Sequence, residues 1–128
     1  MADEPGTGQQ DVVELAHRMF DLARKGSTER LAAYVAAGVP VNLTDASGNT
    51  LLMLAAYHGH ADTVTALADR GADVDRLNDR GQSPLAGAVF KAEDAVVAAL
   101  LAAGADPDAG SPTARATAVM FERPDLFG

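Results

Sequence analysis

The pattern that most invites a chemical reading is His58-Gly59-His60. Two imidazoles can ligate a metal, but a single glycine between them at a helix–turn–helix corner points the rings apart. Asp62 is the only close carboxylate, and a closed zinc site needs four ligands. Asp73-Val74-Asp75 and Asp106-Pro107-Asp108 look like fragments of a calcium loop. They lack the glycine and the late bidentate glutamate such a loop requires. They fit better as turns in which a carboxylate accepts backbone hydrogen bonds. Nucleophilic catalysis needs a base held against Ser, Thr or Cys; the chain has no cysteine and three histidines, one of which, His17, sits on the outer capping helix. Its glycines are dispersed, so no phosphate-cradling loop forms. The expectation is a protein with no catalytic residues, no metal and no cofactor.

The composition bounds the scaffold. The length, 128 residues, suits one domain. The apolar residues are mostly Ala, Leu and Val, with no Trp, which favours closely packed helices over an aromatic-filled β-sandwich. A net charge of −8 argues against a nucleic-acid footprint. Met1 to Gln10 is acidic and lacks the basic start and apolar run of a signal peptide. No apolar stretch approaches the roughly 20 residues that cross a bilayer. The expectation is a soluble, cytoplasmic protein that binds neither membrane nor nucleic acid. Its excess of Arg over Lys and its abundant Ala resemble proteins of bacteria with GC-rich genomes.

The chain repeats itself, the property to be sought first in such a composition. Gly38, Gly71 and Gly104 lie 33 residues apart; Gly48 and Gly81 keep that spacing, as do Gly26 and Gly59, with Ala92 one period on. Each period has one plan. A loop with glycine opens it, at Asp45-Ala46-Ser47-Gly48 and Asn78-Asp79-Arg80-Gly81. Thr50 or Ser83 follows where a helix N-cap belongs, and Pro84 stands at a first helical position. A short helix runs to His58 or Lys91 and turns at Gly59 or Ala92. A second helix spans about Ala61 to Arg70, or Glu93 to Ala103. Gly71 and Gly104 end these helices in the left-handed conformation. Helices this short are marginal alone, so each pair must stack on the next.

The segment from Asp45 through Thr50, Leu52, Ala55, Ala56 and Gly59 to Val64, Leu67 and Gly71-Ala72-Asp73-Val74-Asp75 resembles an ankyrin repeat. The unit Asn78 to Gly110 is similar, through Ser83-Pro84-Leu85, Val96, Leu100 and Gly104. The resemblance implies an all-α solenoid of helix–turn–helix units joined by β-hairpin-like loops, with three repeats plus a C-terminal half repeat. The expected division is a tail at 1–8 and a repeat domain at 9–128, made of a capping repeat 9–44, repeats 45–77 and 78–110, and a half repeat 111–128. Three departures stand out. Met53 and Ala86 replace the family's usual histidine, which puts its inter-loop hydrogen bonds in doubt; Leu51 replaces the usual proline; and Gly87 weakens its helix by about 1 kcal/mol.

The ends read as caps. A first helix over about Gln9 to Lys25 carries Val12, Val13, Leu15, Ala16, Met19, Phe20 and Leu22 as one apolar face, with Asp11, Glu14, Arg18 and Asp21 outward. A last helix over about Pro112 to Phe121 follows a shortened loop and is stopped by Pro124. Leu126 and Phe127 are expected to fold back onto it.

The resemblance also implies a protein partner on the concave side. Carried onto this chain, the contact positions are Arg24, Lys25, Thr44, Ala46, Ser47, Asn49, Tyr57, His58, Leu77, Asp79, Arg80, Gln82, Phe90 and Lys91. Tyr57 and Phe90 occupy equivalent positions of adjacent repeats, an aromatic pair suited to anchoring a partner. Half of the basic residues gather here, counting Arg76, so the expected partner has an acidic, partly apolar surface. The same cations also suit helix C-termini. The protein is expected to be monomeric; the alternative is self-assembly through Val119, Met120, Phe121, Leu126 and Phe127.

Overall fold

The computed structural model describes residues 7–127. Most of the expected tail, residues 1–6, lies outside the described residues. Seven α-helices follow one another: α1 (Thr7–Lys25), α2 (Thr28–Ala36), α3 (Leu51–Tyr57), α4 (Ala61–Asp69), α5 (Pro84–Phe90), α6 (Asp94–Ala102) and α7 (Ala114–Met120), closed by a 3₁₀ turn at Pro124–Phe127. α1, α3, α5 and α7 stack as an inner row, and α2, α4 and α6 as an outer row behind it. Among the described residues no strand forms; the hairpin-like loop of the second repeat pairs only through the Thr44–Thr50 bridge.

The short inner helices start where a hydroxyl can accept an orphan N–H. Thr50 Oγ1 accepts from Met53 N at 3.0 Å, and Ser83 Oγ from Ala86 N at 3.1 Å with Pro84 in the first turn. They persist because they are sandwiched: every residue of α3 from Leu51 to Ala56 is buried. Leu52 and Leu85, equivalent in the two repeats, are both fully buried.

Each short inner helix, α3, α5 and α7, is followed by a residue with positive φ nine positions after its cap. Gly59 has φ 83°, Ala92 φ 58° and Glu122 φ 59°. Gly59 is also covered: a Cβ there would run into the Glu93 carboxylate of the next repeat. Gly26 is covered likewise by His60, whose Nε2 donates to the Arg24 carbonyl at 2.7 Å.

The loops are joined without the family's histidine. Asp79 N donates to the Ser47 carbonyl at 3.0 Å, and Ser111 N to the Gly81 carbonyl at 3.0 Å. Lower down, Asn42 Oδ1 accepts from Asp73 N at 2.8 Å, and one period later Asp75 Oδ1 accepts from Asp106 N at 2.9 Å. The next carboxylate in the series, Asp108, pairs instead with Arg115 at 2.9 Å, and Arg115 also bonds the Phe127 carbonyl at 3.0 Å. That guanidinium holds the Asp108 carboxyl below the usual range.

The ends depart from expectation in four ways. α1 begins at Thr7, two residues before the expected Gln9. Val12 and Val13, on its apolar face, are 67% and 51% exposed, because the core begins one to two turns later at Met19. α7 begins at Ala114, not Pro112, since Thr113 Oγ1 caps Ala116 N at 2.9 Å. It ends at Met120 before Glu122 turns left-handed; Pro124 opens the 3₁₀ turn instead of stopping the helix. Leu126 and Phe127 do pack back against the core.

Candidate functional site: a groove on the inner row

A groove of about 470 Å³ runs across the inner row from the loop at Asn49 to α7. Its floor is apolar, Met53 and Leu54 of α3 with Ala86 and Gly87 of α5, and exposed Met120 and Phe121 at the end of α7 edge it. Tyr57 and Phe90 stand in it as walls, 45% and 60% exposed. The loop side supplies Asn49, Asn78, Arg80, Gln82 and Pro112. The volume falls within the roughly 300–1,000 Å³ of small-ligand and side-chain sites.

The two aromatic walls are held differently. The Lys91 ammonium lies 4.6 Å from the Tyr57 ring centroid, a cation–π contact worth about 0.5–1 kcal/mol when exposed. Phe90 meets Phe121 edge-on at 5.6 Å, which extends the aromatic row into the last helix.

The loop side is orientated by an amide network. Asp45 Oδ1 accepts from Ser47 N and Asn49 N, both at 2.9 Å; one repeat later Asn78 Oδ1 accepts from Arg80 N and Gln82 N, both at 3.0 Å. The turns are the same, but the amide at Asn78 adds donors. Its Nδ2 bonds Asn49 Oδ1 at 2.9 Å across the loops and Gln82 Oε1 at 2.8 Å within its own. An aspartate there could not make either bond.

Of the expected contact residues, Asn49, Tyr57, Arg80, Gln82 and Phe90 come together in the groove. Lys91 borders it through Tyr57. The others lie outside its lining. Arg24 is ion-paired to Asp21 at 3.0 Å, and Lys25 is exposed at the end of α1. Thr44 belongs to the bridge with Thr50, and the Ser47 backbone is committed to the loop stack. Exposed Ala46 shares that loop. Asp79 lies over Gly48, and Leu77 reaches toward Gly110. His58 packs edge-on to Tyr57 at 5.7 Å. Partial burial holds its pKa below the ordinary value, helped by the neighbouring charges of His60, Lys91 and Arg24. Its ring and that of His60, which is turned onto the Arg24 carbonyl, serve different neighbours.

The residue pattern did not pick out the floor. Met53 and Ala86 stood out only as missing histidines, and Gly87 only as a weak helix residue. Their signal was positional: with Leu54 they form adjacent pairs on consecutive inner helices, one pair large and one small.

The ankyrin-repeat family model matches residues 19–111 in three copies. The chain therefore belongs to the ankyrin repeat family. Over 65 residues it is 48% identical to an ankyrin repeat protein of Pseudomonas aeruginosa, covering 50% of this chain and 38% of that one. Over 61 residues it is 44% identical to ankyrin repeat domain-containing protein 29 of Homo sapiens, covering 47% of this chain and 20% of that one. The fold is similar to the crystal structure of the human ASB11 ankyrin repeat domain, with a TM-score of 0.65, 31% identity, and coverage of 70% of this chain and 40% of that one. The chain thus spans well under half the length of these relatives. Ankyrin repeats in general are protein–protein interaction modules and are typically non-catalytic. No helix among the described residues is long and apolar enough to cross a membrane.

Proposed function

We propose that this protein is a non-catalytic module that binds one protein partner in the cytoplasm, through the inner-row groove and the loop tips beside it, and modulates that partner. The reading rests on one observation: Tyr57 and Phe90, large apolar rings left 45% and 60% exposed at equivalent positions, stand over an apolar floor. Exposed aromatics over a desolvated floor are the usual source of binding energy at an interface. Arg80 and Lys91 beside them suit a partner with an acidic, partly apolar surface, and Arg24, Lys25, His58 and Leu77 form its outer margin. The protein works as a monomer, without nucleic acid or membrane. Its units are the capping repeat to residue 44, the repeats 45–77 and 78–110, and the half repeat 111–128.

The test is capture of a partner from the lysate of the source cells by wild type and by a Tyr57→Ala/Phe90→Ala variant, with folding checked by circular dichroism. Loss of capture by the folded variant supports the reading; equal capture contradicts it. A second reading is favoured by Val119 and Met120, 59% and 69% exposed at the end of the inner row. Self-assembly there would raise the solution mass above that of a monomer at micromolar concentration in light scattering.

A further inference from the structure

Within the groove the third repeat lacks side chains that the second one has. Met53 and Leu54 of α3 are answered on α5 by Ala86 and Gly87. Gly87 is helical, so no special backbone conformation asks for it. A Cβ there would meet only the Tyr57 ring, at 3.8 Å, an ordinary contact. Space for a side chain is therefore open at this point, and the helix gives up stability by leaving it open.

On the loop side above this hole the side-chain groups left free are donors, while the Tyr57 hydroxyl on the wall both donates and accepts. Asn78 spends its Nδ2 on Asn49 and Gln82 and its Oδ1 on two backbone N–H groups. Gln82 must turn its Oε1 to Asn78, which aims its Nε2 away from that bond. Thr117 and Ser83 are buried, with their hydroxyls bonded to the Thr113 carbonyl and the Ala86 N–H. What the loop side offers a ligand is N–H: the Gln82 amide and the Arg80 guanidinium. Lys91 over Tyr57 adds a second positive charge. The nearby acids are turned elsewhere, Asp45 into its own loop and Asp79 onto Gly48.

We infer that the groove takes an extended segment of a partner polypeptide in which a large apolar side chain stands close to an Asp or Glu. The apolar group settles on Ala86 and Gly87 between Tyr57 and Phe90, and the carboxylate meets Arg80 and Gln82. Charge complementarity selects the carboxylate, because a guanidinium pairs more strongly with an anionic acceptor-only group than with a neutral amide or hydroxyl. The inference rests on the binding-module reading above and narrows it to one kind of segment.

The experiment is selection of a random-peptide display library on the immobilised full chain, followed by fluorescence anisotropy with the enriched peptide and its Glu→Gln or Asp→Asn analogue. Enrichment of a large apolar residue within a few positions of an internal Asp or Glu is expected. The amide analogue, Arg80→Glu and Gly87→Leu should each weaken binding by about tenfold or more. Arg80 is exposed, so its variant keeps the test sound if Gly87→Leu fails to fold. Enrichment without acidic residues, dependence on a free peptide C-terminus instead, or no enrichment overturns the inference. Peptides lost with Tyr57→Ala/Phe90→Ala but indifferent to Arg80→Glu and Gly87→Leu overturn it while leaving the binding-module reading standing. Peptides indifferent to all four changes overturn both.

Discussion

The units proposed as the second repeat, 45–77, and the third, 78–110, share their caps, their loop turn and a central leucine but differ in bulk where they face the groove. Thr50 and Ser83 cap their helices with the same bond, and Leu52 and Leu85 are equally buried. Asp45 and Asn78 close the same loop turn. By contrast Met53 and Leu54 become Ala86 and Gly87, and Tyr57 becomes Phe90. The capping hydroxyls and the Leu52 and Leu85 core positions keep their chemistry, while other buried positions change type, Leu51 to Pro84, Ala56 to Val89 and Thr63 to Val96. At the groove the change removes bulk from one unit to the next and leaves the hole over Ala86 and Gly87. The difference marks where the third unit leaves open a space that the second fills.

The scaffold half of this comparison breaks most visibly in the core. Leu52→Ala and Leu85→Ala should each cost about 2–5 kcal/mol in urea unfolding, by equal amounts within about 1 kcal/mol. A much smaller cost at Leu85 would mean that the third repeat is not stacked as the second is.

The turns should respond in opposite directions. Gly59→Ala places a methyl group at positive φ and against the Glu93 carboxylate, and should destabilise by about 1–2 kcal/mol. Ala92→Gly relieves the same conformation at φ 58° and should stabilise, by roughly 0.5–1 kcal/mol after glycine's extra chain entropy is counted. Thermal melts of the two variants read both signs.

A smaller effect sharpens the loop comparison. Asn78→Asp keeps the acceptor that closes the turn and removes the donor that reaches Asn49 and Gln82. It should cost about 1 kcal/mol in the same urea measurement. The corresponding Asp45→Asn should cost less, because Asp45 makes no bond to another repeat among the described residues.

The smallest effect is in pH. His58 favours its neutral form in the folded protein, so the unfolded chain binds its proton more readily. The contribution is whole above the ordinary value of 6.5 and declines as pH falls from there toward the lower folded value. His58→Gln should flatten that decline slightly in denaturation curves taken from pH 7.5 to 5.

What the sequence made legible follows the same division. The 33-residue spacing of glycines could be read because a left-handed turn selects glycine by its backbone alone. Thr50, Ser83 and Pro84 could be read because capping chemistry is local. α7 was harder. Pro112 imitates Pro84, but the shortened loop moves the cap to Thr113, and counting nine residues from there to Glu122 would have given the helix end. Val12 and Val13 fit the helical period yet lie beyond the reach of the stack, which periodicity cannot reveal. In the site, the rings and loop polar groups announced themselves by type. The floor did not, since a hole made by Ala86 and Gly87 is a missing side chain, visible only once Leu54 and Tyr57 stand beside it.

The most direct test of a diverged inner face built for binding is calorimetric titration of the captured partner. Wild type would be compared with Tyr57→Ala/Phe90→Ala in the groove and Thr65→Glu on the exposed face of α4. A loss of about tenfold or more confined to the groove variant is the predicted result. Loss confined to Thr65→Glu, with the groove variant binding as wild type does, would contradict it.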